Sequence, residues 1–522
     1  MKLLVGVKVK KIIRSISFVL GLSFFPVLVY SQVEGNGFTD HLYSDLYKGI
    51  GLSANGIQDS YEEVDTFRGQ LSHSITDYVL AGQGGLDLKI QRYWQMTQTI
   101  ALAAYCFDDF GQIGTCDNSR GYIWNHHNRV GLGWNVHFGR IKRFDSNLHL
   151  GATACKVSSS NVPTDSLNET PQGKHFDTKF NPVIQLPNGQ EKVLYSSNSG
   201  SAYDFISKDN WVADCLTSGL VVFSPDGRKY TFNQRNIDYA SNFVAYYYVT
   251  RIEDPDGNWI NIEYHDSGYA YLNIKRAYAS DGRELSFQYA DATNTRARLI
   301  SVRDVKNNRI VVNYQYDSAL TSRSHNASNY TFSDEYYLRR VYYPDGSDWN
   351  YTYYKVNNAV NYGYPNYSWE STYKMRHNLK SVESPTGVLT SYNYSDVYFD
   401  RHIRSGVLRE GDHTVALKSK TVSGGRLIGS RTTSYSYGVS TVGSLVTTVT
   451  KPQGIVEKYT HYNNQSIGYR DNWKVGLLRR KTIAVSGGNI REEDFSWSRG
   501  SKISYQFSRS HRMTLANDTD TD

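Results

Sequence analysis

From residue 216 to about residue 465, apolar and polar positions alternate in short runs, and a glycine-bearing corner ends each run. Period-two alternation is the mark of a half-buried β-strand. The corners recur: VVFSPDGRKYTFN with Asp226 and Gly227, RIEDPDGNWINIEY with Asp256 and Gly257, and AYASDGRELSFQY with Asp281 and Gly282. They continue with VRDVKNNRIVVNY at Asn307 and Asn308, VYYPDGSDWNYTYY at Asp345 and Gly346, SVESPTGVLTSYNY at Thr386 and Gly387, and TVTKPQGIVEKYTHY at Gln453 and Gly454. A looser member, IQLPNGQEKVLY, precedes them at Asn188 and Gly189. Intervals of roughly 25 to 40 residues lie in the range of repeat architectures.

Each unit has one layout. A leucine or isoleucine is followed by a valine or isoleucine, as Leu338 by Val341 and Leu379 by Val382. Proline then fixes φ at the first turn position, aspartate or asparagine tolerates the second, and glycine takes the positive-φ position. The alternation after the corner ends in aromatics. Trp259, Ile262 and Tyr264, or Trp349, Tyr351 and Tyr353, are expected on one strand face. Every unit is therefore a hairpin with one apolar face. A lone hairpin is marginal in water, so neighbours must pair edges and pool their aromatic faces. A sheet of that length twists and must curl. The pattern predicts an all-β fold of stacked antiparallel β-hairpin repeats forming a curled, spiralling sheet.

Composition agrees: 43 tyrosines and 42 glycines stand against 4 methionines in 522 residues, and tyrosine favours pleated surfaces. A mean hydropathy of −0.53 excludes a multi-span membrane protein. The net charge of +7 is spread along the chain rather than clustered, and clustering is what a nucleic-acid footprint needs; no nucleic-acid partner is expected.

The first residues, MKLLVGVKVKKIIRS and then ISFVLGLSFFPVLVYS, run from basic to apolar to small. That order reads as a signal peptide over residues 1–31, with an uncleaved anchor as the alternative. A lead segment, 32–60, follows. The chain is expected outside the bacterial cytoplasm, secreted, periplasmic or on the cell surface, with no stable membrane span after cleavage. Four cysteines, Cys106, Cys116, Cys155 and Cys215, permit disulfides in an exported protein. Cys106 with Cys116 would close a short loop and leave Cys155 with Cys215; four buried thiols are the alternative.

Units of the form L-x-x-V-x-x-P-D-G-x-x-x-x-Y-x-Y resemble the YD-repeat, or Rhs, family. The tyrosine-aspartate form of that repeat is approached in QYADATNTRARLISVRD, through Tyr289, Asp291, Arg298 and Leu299, without its glycine. A second stretch, VDTFRGQLSHSITDYVLAGQGGLDLKIQRYW with NRVGLGWNVHFGRIKRF, is similar to the entry segment of Rhs-like and toxin-complex-like secreted proteins. The resemblance spans about residues 61 to 465. It implies a hollow β-shell that encloses a toxic domain or presents an adhesive surface. The closing segment and effector domain of toxin-bearing members are not found, so a natural short form or part of a longer ancestral gene is expected. The expected organisation is an entry module at 61–215, repeats at 216–507 and a polar tail at 508–522.

Motifs that carry chemistry are absent: no GxSxG serine elbow, no HExxH helix, no phosphate loop. AGQGGLD lacks the lysine of a phosphate loop and reads as a turn. His126, His127 and His137 do not converge, because neighbours on a strand face opposite ways. Asp108, Asp109 and Asp117 match no calcium-loop spacing. Sequons at Asn168 and Asn326 carry little weight in a bacterial chain. The turn aspartates are explained by their corners. Catalytic residues, metals and cofactors are therefore assigned nowhere. The expected function is a secreted, non-enzymatic Rhs-like scaffold in toxin delivery or intercellular competition, with an encapsulated or associated polypeptide as partner. One alternative is an adhesin that meets cell-surface glycans with its tyrosines. Another is a secreted enzyme with its site in the entry module.

Overall fold

The computed structural model describes residues 60–515 apart from connecting segments, the longest being 104–121, 145–181, 355–377 and 463–475. Every described residue belongs to one compact unit, 48–522. The signal-peptide reading, Cys106, Cys116, Cys155, His126, His127, Asp108, Asp109, Asp117, Asn168 and Asn326 lie outside the described residues.

The corners form as their residues require. Gly227, Gly257, Gly282, Gly346 and Gly387 have φ of 83°, 86°, 82°, 83° and 74°. In the Asp254–Asn258 corner the Gly257 N–H donates to the Asp254 carbonyl at 3.1 Å, and the Asp254 N–H donates to the Asn258 carbonyl at 3.0 Å. That is a type I turn closed by a left-handed residue, the usual three-residue hairpin loop. The Asp254 side chain accepts from the Asp256 and Asn258 N–H groups and fixes the corner further. A Cβ added at Gly257, Gly282, Gly346, Gly387 or Gly454 would meet nothing within 4 Å, so these corners stand in open space. Two corners lack the pattern: Asn308 takes the positive φ at 49°, and Gln453 at 73° shares it with Gly454.

Successive hairpins pair edge to edge in chain order from Tyr195–Ser196 to Phe507–Leu515, and with a branch of Arg140–Phe144, Val183–Gln185 and Glu191–Val193 they form a 25-stranded antiparallel sheet. Among the described residues, no pairing joins these two end strands. The sheet branches at Val244–Glu253: residues 244–248 pair with Arg140–Phe144, and residues 251–253 pair with Trp259–Tyr264. A separate four-stranded sheet contains Ser60–Asp65, Gln70–Leu80, Leu88–Gln95 and Trp134–Val136. The entry region is thus divided, because its strands from Arg140 onward join the long sheet. At the other end Phe507–Leu515, which overlaps the stretch 508–522 assigned to a polar tail, pairs with Gly488–Arg499.

One face of the long sheet is apolar. Ile260, Ile262, Leu285, Val302, Val312, Val341, Trp349, Tyr351, Tyr353 and Val382 are buried there in one core that also takes in the entry sheet. Trp259 departs from expectation. An odd residue beside Ile260 and Ile262, it falls on the outer face, half-buried beneath the Arg251 guanidinium and edge-on to Tyr278.

What curls the sheet is a repeated irregularity. Tyr264 pairs with Ile274, Tyr289 with Leu299, Tyr316 with Leu338, Tyr353 with Leu379 and Tyr394 with Leu417, and a register shift accompanies every pair. A bulge bends its strand and raises the local twist; the same bulge at the same place in each unit adds up to curvature. The tyrosine also reaches back. Hydroxyls of Tyr264, Tyr316, Tyr353, Tyr394 and Tyr437 donate to the carbonyls of Val249, Leu299, Leu338, Leu379 and Leu417 at 2.5–2.8 Å. Each of Leu338, Leu379 and Leu417 is therefore held twice, by the tyrosine of the unit before and the tyrosine of its own.

Candidate functional site

The inner face of the curl is occupied by the entry sheet. Following the strand Gln70–Leu80 and the turns at its ends, the partners come in the order of the repeats. Carbonyls of Leu80 and Leu86 accept from Arg283, and Tyr78 donates to Asp304. Asp77 meets Tyr314 and Tyr343, and His73 meets Trp349. Glu62, on the neighbouring strand, meets Tyr392 and Lys420. The Gly69 carbonyl takes the Leu417 N–H at 2.8 Å, and Thr66 meets Thr447 and His461. One of these bonds, and a second made by Arg129, serve the bulges. Leu299 and Leu417, whose N–H groups leave the ladder at their bulges, donate to the carbonyls of Arg129 and Gly69. A buried N–H needs a partner, and the entry segment supplies it.

At the centre Arg92 and Asp77 form an ion pair with neither side chain exposed. The Arg92 Nε lies 2.8 and 2.9 Å from the two carboxylate oxygens, and the Tyr343 and Tyr314 hydroxyls donate to those oxygens at 2.8 and 2.9 Å. Burial, the largest single influence, opposes the Arg92 charge, but Asp77 with Tyr351, Tyr343 and Tyr314 together outweigh it and hold the guanidinium well above its ordinary pKa. Burial, reinforced by the Asp77 charge, drives Tyr314 and Tyr343 well above the usual phenol range. The guanidinium also lies over the rings of Trp134 and Tyr351 at 4.8 and 5.0 Å. Such stacking is favourable where water is excluded. Arg92 Nη1 and Nη2, both His73 nitrogens, Trp94 Nε1, Trp349 Nε1 and the Tyr351 hydroxyl are buried without hydrogen-bond partners.

This cluster was not singled out in the sequence, although a signal exists. His73 and Asp77 share a strand face with Leu71 and Ile75, and Arg92 lies between Ile90 and Trp94. A charge at an inward position needs a partner. The turn aspartates and glycines lie apart at separate corners and are not gathered into a site. Among the described residues, no group of three or more His, Cys, Asp and Glu could hold a metal, and no helix is long and apolar enough to cross a membrane. Cys215, on Val212–Leu216, is disulfide-bonded. Among the described residues, the tyrosines considered as a sugar surface mostly line the interior or pack against it; Tyr203 is exposed at 39%.

No family model and no curated protein sequence matches the chain. Among solved structures it is similar to the TcdB2-TccC3 complex, at 11% identity and a TM-score of 0.25 over 89% of this chain and 20% of that one. It is similar to the Tc holotoxin pore of Photorhabdus luminescens at 12% and 0.30, over 89% of this chain and 24% of that one. It is also similar to the N-terminal domain of the effector SpvB from Salmonella typhimurium strain LT2, at 9% and 0.16, over 84% and 96%. The chain spans about a fifth to a quarter of the Tc chains it matches. TM-scores of this size transfer no residue and no activity.

Proposed function

We propose that this chain is a secreted, non-enzymatic Rhs-like β-scaffold that works in a bacterial toxin-delivery or intercellular-competition system by holding an associated polypeptide. The observation that carries the reading is the long sheet that curls around its own entry segment yet has no pairing between its end strands among the described residues. A strand edge offers a row of N–H and C=O groups to another strand, so further shell strands or an enclosed chain would add there. The Rhs-like repeats and entry segment favour a toxin-related setting. In the test, the exported chain is purified from its native host under gentle conditions and its companions are identified by mass spectrometry. A stoichiometric second polypeptide, lost when Phe507–Leu515 is deleted, supports the proposal; a chain that purifies alone from every growth condition contradicts it.

A second reading, a glycan-binding adhesin, has one observation in its favour. Arg251 over Trp259 at 4.9 Å and Arg276 over Tyr278 at 4.6 Å form neighbouring half-buried stacks on the outer face. Glycan-array binding lost in Trp259→Ala would favour it.

A further inference from the structure

Three histidines stand where the entry sheet meets the long sheet, and all are buried. His73 is edge-on to Trp134 of the entry sheet and to Trp349 of a repeat, at 6.1 and 6.2 Å, and neither ring nitrogen has a hydrogen-bond partner. His137 precedes the branch strand Arg140–Phe144. Its Nδ1 accepts the Gly139 N–H at 3.0 Å, so its Nε2 carries the proton and faces the Tyr93 hydroxyl at 3.0 Å. His461 sits on a late repeat. Its Nδ1 lies 3.2 Å from the Gly476 carbonyl and so carries the proton, which leaves Nε2 to accept from Thr66 Oγ1 at 3.1 Å. Phe67 of the entry hairpin packs on the same ring at 5.6 Å. The contacts of His73 and His137 are built for a neutral imidazole. A second proton would break the bond from Gly139 at His137 and would put a bare cation between two tryptophans at His73; at His461 it would reverse the Thr66 bond, with Nε2–H donating to Oγ1, and would leave a buried charge against Phe67.

We propose that this boundary is an acid-operated latch: protons taken up by His73, His137 and His461 release the entry sheet from the repeats and uncover the aromatic inner face. Burial decides the direction at each histidine, with the surrounding charges opposing it at His461, reinforcing it at His137 and acting both ways at His73. His73 faces Arg92 and Lys420, both cationic, against Glu62 alone; His137 faces Arg140; His461 faces Asp65. Burial, the largest cause at each, takes His73 and His461 down to about 4 and His137 well below its ordinary value. Above about pH 6.5 the latched and released forms are both neutral and the latch is at full strength. Between that pH and 4 the released form binds protons that the latched form does not, so the latch weakens as pH falls. From 6.5 to about 4, each of His73 and His461 favours release about 30-fold at pH 5. The inference does not depend on the proposed function, since it concerns how the chain holds its own entry sheet.

Amide hydrogen exchange of the full exported chain, corrected for intrinsic rates, tests it between pH 7.5 and 4.5. Peptides covering Gln70–Leu80 are expected to gain exchange on acidification while Gly219–Phe223, which pairs only with Val212–Leu216 and Lys229–Asp238 of the long sheet, stays protected. His73→Phe and His461→Asn are each expected to remove about 30-fold of the gain between pH 7.5 and pH 5. An unchanged acid response in both variants, or parallel loss of protection in 219–223, overturns the latch. Should a variant fail to fold, C2-hydrogen exchange of the wild-type histidines decides. Midpoints below pH 5 for His73 and His461 uphold it, and midpoints near the ordinary 6.5 overturn it.

Discussion

The Tyr353 hydroxyl donates to the Leu338 carbonyl at 2.8 Å and accepts from Trp134 Nε1 at 2.7 Å. One phenol therefore fastens two strands of a repeat to each other and both to the entry sheet. Tyr353→Phe leaves a buried carbonyl and a buried indole N–H without partners. The expected loss is about 2–6 kcal/mol, at about 1–3 kcal/mol per orphaned group. Tyr437→Phe breaks the bond to the Leu417 carbonyl and is expected to cost about 1 kcal/mol. Denaturant midpoints of the two variants, compared at constant slope, check the difference.

The corners differ in what surrounds them. Gly257→Ala adds a Cβ that meets nothing, so only its φ of 86° is penalised, at about 1–2 kcal/mol. Gly131→Ala is expected to cost more, because its Cβ would lie 2.6 Å from the Leu338 backbone nitrogen. Gln453→Gly should instead stabilise by about 1 kcal/mol, since a non-glycine residue at φ 73° carries strain that glycine lacks. Thermal melts of the three variants order them.

Repeats, corners and all-β class could be read from the sequence because each rests on local chemistry: proline before aspartate and glycine, then alternation into aromatics. The opening-residue-to-tyrosine spacing was also visible, but not its purpose. Nothing local says that Tyr394 will bond the carbonyl of Leu379 while pairing with Leu417 across a bulge. Trp259 lies on the face opposite Ile262 and Tyr264 for a simple reason: odd and even positions of a strand face opposite ways. The interior was hardest to foresee. Asp77 meets Tyr314 and Tyr343 across 237 and 266 residues, and no spacing rule reaches that far.

Arg92→Met leaves Asp77 buried and charged without its cation. The expected cost is about 3–5 kcal/mol at pH 7.5. Paired urea titrations of the variant and the wild type at pH 7.5 measure it.

Whether the repeats truly wrap the entry strand is tested most directly by a double-mutant cycle between Asp77→Asn and Tyr343→Phe, whose side chains meet at 2.8 Å across 266 residues. Residues in contact couple by about 0.5–3 kcal/mol, and a coupling in that range is expected here. Additivity within about 0.3–0.5 kcal/mol would mean that the two residues do not touch, and that the entry sheet does not fill the curl.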